Sequence, residues 1–192
     1  AYIGVVFANV EIGLVLAVAL SILRVILFVA RPRTFALGNI KDSDIFMSMD
    51  HYTNTETVPG VLVLKINGPV YFASSSYLRE RLLRWIEEEE KKIKAIEGPP
   101  LHYILLDMGA VGNLDVSGMS MLEEVNKSVE LKGLKLGLCN PGAEVMKKLH
   151  KSNIIDLIGE NWIYSTVGEA VEACNFSIHS CVSKSLNKDS FV

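Results

Sequence analysis

The stretch Tyr103–Val125 reads YILLDMGAVGNLDVSGMSMLEEV. A short apolar run, Tyr103–Leu106, ends at Asp107, passes Gly109, Gly112 and Asn113, and reaches Asp115-Val116-Ser117-Gly118. Met121, Leu122, Val125 and Val129 then recur at helical spacing. The apolar run predicts a buried strand and the later spacing predicts a helix with one apolar face. Between them, small and polar residues gather where the helix N-terminus points its unpaired N–H groups. The pattern is strand, turn, helix. The flanking chain decides whether this turn catalyses, switches or only folds.

The same alternation extends outward. Val61–Ile66 (VLVLKI) is bounded by Pro59-Gly60 and by Asn67-Gly68-Pro69, which predicts a strand. Val70–Ala73 reads as a short continuation of it, and Ser74-Ser75-Ser76 supply N-cap candidates. A helix over about Ser76–Ile96 follows, with Leu78, Leu82, Ile86, Ile93 and Ile96 on one face. Its opposite face predicts the pairs Glu87–Lys91, Glu88–Lys92 and Glu90–Lys94. That charge run reads as a solvated surface rather than a regulatory patch. Gly133 closes the helix of the opening stretch.

Leu134–Cys139 is another strand, and Asn140-Pro141 makes an N-cap and N1 pair for a helix holding Val145, Met146 and Leu149. Ile154–Ile158 reads as an apolar connector and Trp162–Tyr164 as a last short strand. Thr166 and Glu169 have capping-box spacing for a helix ending near Cys174. Upstream, 35–58 reads as a connecting stretch, with a turn at Gly38-Asn39 and an edge strand within 44–49. Strands and helices alternate from Val61 to Cys174, which predicts a small α/β layer fold with a partly parallel sheet. Ligands of such sheets bind beyond the carboxyl ends of the strands, where Asp107–Gly118 falls.

The N-terminal run, AYIGVVFANVEIGLVLAVALSILRVILFVA, carries only Glu11 and Arg24 as charges. Ile12–Ala30 makes about 28 Å of helix, close to the ~30 Å hydrocarbon core. No basic region precedes it and no small-residue cleavage site follows, so it does not read as a signal peptide. It is apolar on all faces, unlike a globular surface helix. The run is therefore expected to be a membrane span, with Glu11 marking a break from an earlier segment. Arg31 and Arg33 follow at once and predict a cytosolic C-terminal part. The chain begins with Ala inside an apolar run and reads as the C-terminal piece of a longer protein. The expected division is 1–33 as the end of a membrane domain, 34–58 as linker and edge strand, 59–176 as a cytosolic domain and 177–192 as a disordered tail.

Composition removes several functions. The net charge of −3 over 192 residues gives no basis for nucleic-acid binding. The mean hydropathy of +0.29 is raised by the first thirty residues. Cys139, Cys174 and Cys181 fit no paired framework, and no His lies at metal-ligand spacing from a second His or Cys. No metal or cofactor is expected. Asp107 and Asp115 have the makings of a paired carboxylate site, but with no basic residue nearby they read as a strand end and a helix cap. Ser117 lacks the G-x-S-x-G frame of a nucleophile, and the glycines do not match a phosphate-binding loop. Ser117 and Ser120 are available hydroxyls for a phosphorylation switch, since a phosphate at a helix start gains from the dipole and the free N–H groups.

Glu11-Ile12-Gly13, Arg31-Pro32-Arg33-Thr34, Leu37-Gly38 and Gly68-Pro69-Val70-Tyr71-Phe72-Ala73 resemble the C-terminal part of a plant sulfate transporter of the SulP/SLC26 family. Asp107–Gly118, Asn140-Pro141 and Trp162-Ile163-Tyr164 extend the match, whose details resemble the plant group 3 members. The resemblance implies that Val61–Cys174 is a cytosolic STAS domain, similar to bacterial anti-sigma-factor antagonists, preceded by the final transmembrane helix. It implies an integral membrane protein of the plasma membrane or plastid envelope that moves sulfate with protons. Its partners would be the lipid bilayer, the transporter core of the same chain, a homodimer mate and cytosolic regulatory proteins. The domain would be a regulatory and assembly module and not an enzyme, with Asp107, Asn113, Asp115, Ser117 and Gly118 as its partner-facing loop. Alternatives are a switch controlled by phosphorylation or nucleotide, and transport of phosphate or another oxyanion. Family loops read Asp-[Ser/Thr]-Ser-Gly, and the first hydroxyl is the phosphoacceptor. Here that position is Val116, which leaves Ser117 as the substitute.

Overall fold

The computed structural model describes residues 10–41 and 43–188, with side chains described except at 10, 28, 29 and 181–188. Helix α1 (Val10–Ala30) is followed by strands β1 (Arg33–Ile40), β2 (Phe46–Ser48), β3 (Thr55–Glu56) and β4 (Val61–Asn67). Helix α2 (Phe72–Ala95), β5 (Tyr103–Asp107), α3 (Val116–Leu131) and β6 (Lys135–Cys139) continue the alternation. The chain ends with α4 (Ala143–Lys151), α5 (Ile154–Ile158), a 3-10 turn at Glu160–Trp162, β7 (Ile163–Tyr164) and α6 (Val167–Lys188).

One sheet runs in the order β2-β1-β4-β5-β6-β7, with β3 beside β1. β4 through β7 are parallel, while β1 joins β4 antiparallel through Arg33↔Asn67 to Leu37↔Val63. The mixed α/β STAS-type architecture read from the sequence is thus present, and the pleat divides it into two cores. Leu62, Leu64, Ile66, Ile104, Leu106, Leu136 and Leu138 point to one face, under Leu78, Leu82, Leu122, Val125 and Leu149 of the helices. Val61, Val63, Leu105 and Cys139 point to the other, against Ala170, Val171 and Cys174 of α6. Each fully buried Leu or Ile contributes about 1.5–3 kcal/mol, so register is strongly specified: a one-residue slip would exchange the faces.

Several local expectations are corrected. Residues 33–40 form a full strand rather than a connector, because the antiparallel pairing with β4 satisfies their backbone groups. Gly38 is not a turn residue but a close approach, where a Cβ would lie 2.9 Å from Thr55 Cβ. Helix α2 starts at Phe72, not Ser76; Tyr71 is its extended N-cap residue, and Ser74 Oγ accepts from the Tyr71 N–H at 3.1 Å. Val70 therefore makes only an isolated bridge, to Leu114. Among the described residues none of the three expected Glu–Lys pairs forms; Glu89 meets Lys92 at 3.4 Å and Glu90 reaches across to Lys132 at 2.8 Å. Asn140 takes φ 55 outside the helix, and Gly142 is the N-cap residue of α4. Ile154–Ile158 is a short helix whose Ile154, Ile155 and Ile158 are buried.

The ends of the chain also differ. Helix α6 continues through 188 instead of stopping near Cys174, since no Gly or Pro interrupts it after Gly168 and Ile178 extends its packed face. Residues 177–188 are thus helical where a disordered tail was expected, and 189–192 and 1–9 lie outside the described residues. Helix α1 forms where the span was expected, with Ile12, Leu14, Val15, Val18, Leu23 and Ile26 each about half exposed or more. The crossing itself is not reproduced: among the described residues no helix is long and apolar enough to cross a membrane.

Candidate functional site

The turn between β5 and α3 is held by backbone first. Val70 N–H donates to the Asn113 carbonyl at 3.0 Å, and Asp115 N–H donates to the Val70 carbonyl at 3.2 Å. This joins the turn to the segment that starts α2. Asn113 Oδ1 accepts from the Leu114 N–H at 2.8 Å and from Lys148 Nζ of α4. Lys148 also donates to the Leu114 carbonyl at 2.9 Å. Asn113 and Leu114 are therefore pinned from a third element, and nothing in the local sequence signals Lys148 as the partner.

Asp115 is the N-cap residue of α3, as expected. Its Oδ1 accepts from the Gly118 N–H at 2.8 Å. Its Oδ2 accepts from the Phe72 N–H, also at 2.8 Å, at the first residue of α2. One carboxylate thus satisfies an orphan donor at each of two helix starts and sits at the positive end of both dipoles. The second role was not legible, because Phe72 is 43 residues away. Gly118 is buried, and a Cβ there would meet Leu114 Cδ1 at 2.6 Å and the Val70 carbonyl oxygen at 2.9 Å. The glycine is required by this close approach of backbone to backbone.

Asp107 belongs to a different environment. It is buried at the end of β5, on the α6 face of the sheet, and its Oδ1 accepts from the Gly109 N–H at 2.9 Å. Lys65, its register partner on β4, lies 3.2 Å from its other oxygen. The sequence offered no nearby base, but parallel pairing supplies one. Asp107 and Asp115 share no partner in this network: the strand end carries an ion pair and the helix cap serves two helix starts. Among the described residues no group of His, Cys, Asp or Glu has an arrangement that could hold a metal.

Val116 is exposed at 73 % and Phe72 at 78 %. With Ser76, Arg79, Ser117, Ser120 and Glu124 they line a cavity of about 240 Å³ between α2 and α3. Arg79 is ion-paired with Glu124 across this cleft. Ser117, the second residue of α3, is half-buried, and Val116 offers no hydroxyl at the outermost position. The two buried thiols lie elsewhere, in the core beneath α6. Desolvation pushes Cys139 and Cys174 each up to about 12, Asp107 adding to the effect at Cys139, so neither is a nucleophile at neutral pH.

A STAS domain family match covers residues 52–170. Sulfate transporter 3.1 of Arabidopsis thaliana is 52% identical over 190 residues, 98% of this chain and 29% of that protein. Sulfate transporter 3.2 of the same plant is 53% identical over 180 residues, 94% of this chain and 28% of that protein. Among solved structures, the murine Slc26a9 anion transporter in the inward-facing state superposes with a TM-score of 0.76 at 22% identity, covering 91% of this chain and 27% of that one. A sulfate transporter family protein from Wolinella succinogenes superposes at 0.52 and 23% identity, covering 69% of this chain and 99% of that one. These distant structures establish the shared fold, and the plant relatives are the group 3 sulfate transporters that the motifs resemble. The chain spans under a third of the length of those relatives.

Proposed function

This chain belongs to the STAS domain family, and from that premise we propose that it is the C-terminal regulatory and assembly module of a plant proton-coupled sulfate transporter. The single observation that carries the reading is the 52% identity to a sulfate transporter along 98% of the chain, α1 included. In this reading α1 closes the membrane domain. Its large apolar side chains, exposed here over most of the helix, are covered by lipid and by the earlier membrane segments. The preceding region is 1–33, 34–58 leads into the cytosolic domain, and the domain acts by contacts with the transporter core and a dimer mate. The turn supports binding rather than chemistry: the carboxylates of Asp107 and Asp115 are already engaged, and the thiols are buried.

The test is uptake by the full-length transporter after deletion of Val61–Cys174, with surface delivery read separately by biotinylation. Lost uptake or lost delivery is expected; undiminished sulfate flux would overturn the reading. Competition by phosphate in the same assay decides between sulfate and another oxyanion. A second reading, favoured by the cleft that Ser117 lines beside Arg79, makes the turn a phosphorylation switch. Equal phosphate incorporation by a cellular kinase extract into wild type and Ser117→Ala would exclude it.

A further inference from the structure

The segment after α1 is joined to the end of β4, just before α2. Pro32, two residues past α1, lies against Gly68, where a Cβ would be 3.4 Å from it. Arg33 pairs in register with Asn67. Helix α1 also packs on α2 itself. Four residues after Gly68 comes Phe72, whose N–H is held by Asp115. The two apolar side chains flanking this double cap, Phe72 and Val116, are the exposed ones, at 78 % and 73 %. They share one cleft and so form one patch. Around them the anions are engaged: Asp115 accepts from two backbone N–H groups, and Glu124 is paired with Arg79. Arg31 and Arg33 are exposed at the junction.

We propose that the Phe72–Val116 patch seats in the headgroup region of the bilayer that covers α1, beside Arg31 and Arg33 as contacts for anionic lipid. This rests on the reading that α1 is membrane-embedded. Three features match an interfacial anchor: apolar side chains at the patch, exposed cations at the junction with α1, and, among the described residues lining the patch, carboxylates that are already engaged. Continuity decides the occupant. The exposed apolar surface of α1 requires a cover, and the contact of Pro32 with Gly68 joins the end of α1 to a point four residues before Phe72 in the chain. Seated there, the patch fixes the tilt of the sheet against the membrane and presents the remaining faces to protein partners.

The test uses the 192-residue chain in nanodiscs of phosphatidylcholine and phosphatidylglycerol. Phe72→Trp and Val116→Trp are each compared with the parent, whose Trp85 and Trp162 set the background. Val18→Trp reports on α1. Lipids brominated near the headgroup end of the acyl chain are expected to quench the emission added at 72 and 116, and deep bromines that added at 18. Quenching at 18 with unquenched, water-like emission at 72 and 116 overturns the proposal and leaves the reading of α1 standing. Blue-shifted but unquenched emission at 72 and 116 also overturns it, assigning the patch to a protein contact. No quenching at 18 removes the reading of α1 and the proposal together. Two carriers keep the outcome readable if one substitution fails to fold. Omitting phosphatidylglycerol, or Arg31→Gln with Arg33→Gln, is expected to reduce the shallow quenching; no change removes the anionic-lipid part.

Discussion

The carboxylate of Asp115 and the backbone N–H of Phe72, 43 positions apart in sequence, meet at 2.8 Å. The same carboxylate holds Gly118 N–H at 2.8 Å. Two helices that pack on one core face therefore start from a single side chain, and the mutual position of α2 and α3 follows from it.

Asp115→Ala removes both caps and is expected to cost about 2 kcal/mol in urea unfolding. Asp115→Asn retains one acceptor oxygen and can serve one helix start well, so a loss of roughly half that size is expected. An Asn variant as stable as wild type would show that the second hydrogen bond contributes nothing.

Gly118→Ala raises helix propensity by ~1 kcal/mol. The added Cβ has Leu114 Cδ1 at 2.6 Å and the Val70 carbonyl at 2.9 Å. Overpacking of about 2–3 kcal/mol is expected to win. A lowered thermal midpoint checks the sign, and a raised one would mean that the Val70–Leu114 bridge yields easily.

Lys65→Met leaves the buried Asp107 carboxylate with the Gly109 N–H alone, an expected loss of about 1–2 kcal/mol given the partial exposure of Lys65. Adding Asp107→Asn removes the stranded charge and should return most of that loss. Strictly additive single and double variants, measured by denaturant unfolding, would argue against the pair.

Stability is expected to fall with pH above 9. Cys139 and Cys174 rise from 9.0 to about 12 on folding, mainly by desolvation. Tyr164 rises from 10.0 to about 12, mainly by desolvation too. Well below pH 9 these groups are protonated in both states, and the thiols of the unfolded chain begin to ionise as pH approaches 9. Between 9 and 12 the unfolded chain releases protons that the folded chain retains, so each buried thiol lowers stability by at most about 1.4 kcal/mol per pH unit, and the partly exposed Tyr164 by less because solvent screens it. Cys139→Ala with Cys174→Ala should flatten the decline measured by unfolding from pH 8 to 11. An unchanged slope would assign it to other groups.

The helices and the parallel strands were legible because period 2 and period 3.6 are local properties of the chain. Val61–Ile66, Tyr103–Leu106 and the face Met121, Leu122, Val125, Val129 are examples. Boundaries failed where a partner from elsewhere decided them. The start of α2 moved to Phe72 because Asp115 caps it, and α6 ran past Cys174 because Ile178 found the second core. Strand β1 was missed because its register is written in β4.

At the turn Asp107–Gly118, then, residue type and spacing already specified a strand end, a capped helix start and the absence of a phosphoacceptor at Val116. Which donors the carboxylates serve was left to folding. Hydrogen bonds between Asp115 and Phe72, and ion pairing between Asp107 and Lys65, act over 2.8 and 3.2 Å. Such short-range contacts exist only once the sheet has brought distant segments side by side, and no periodicity along the chain encodes them.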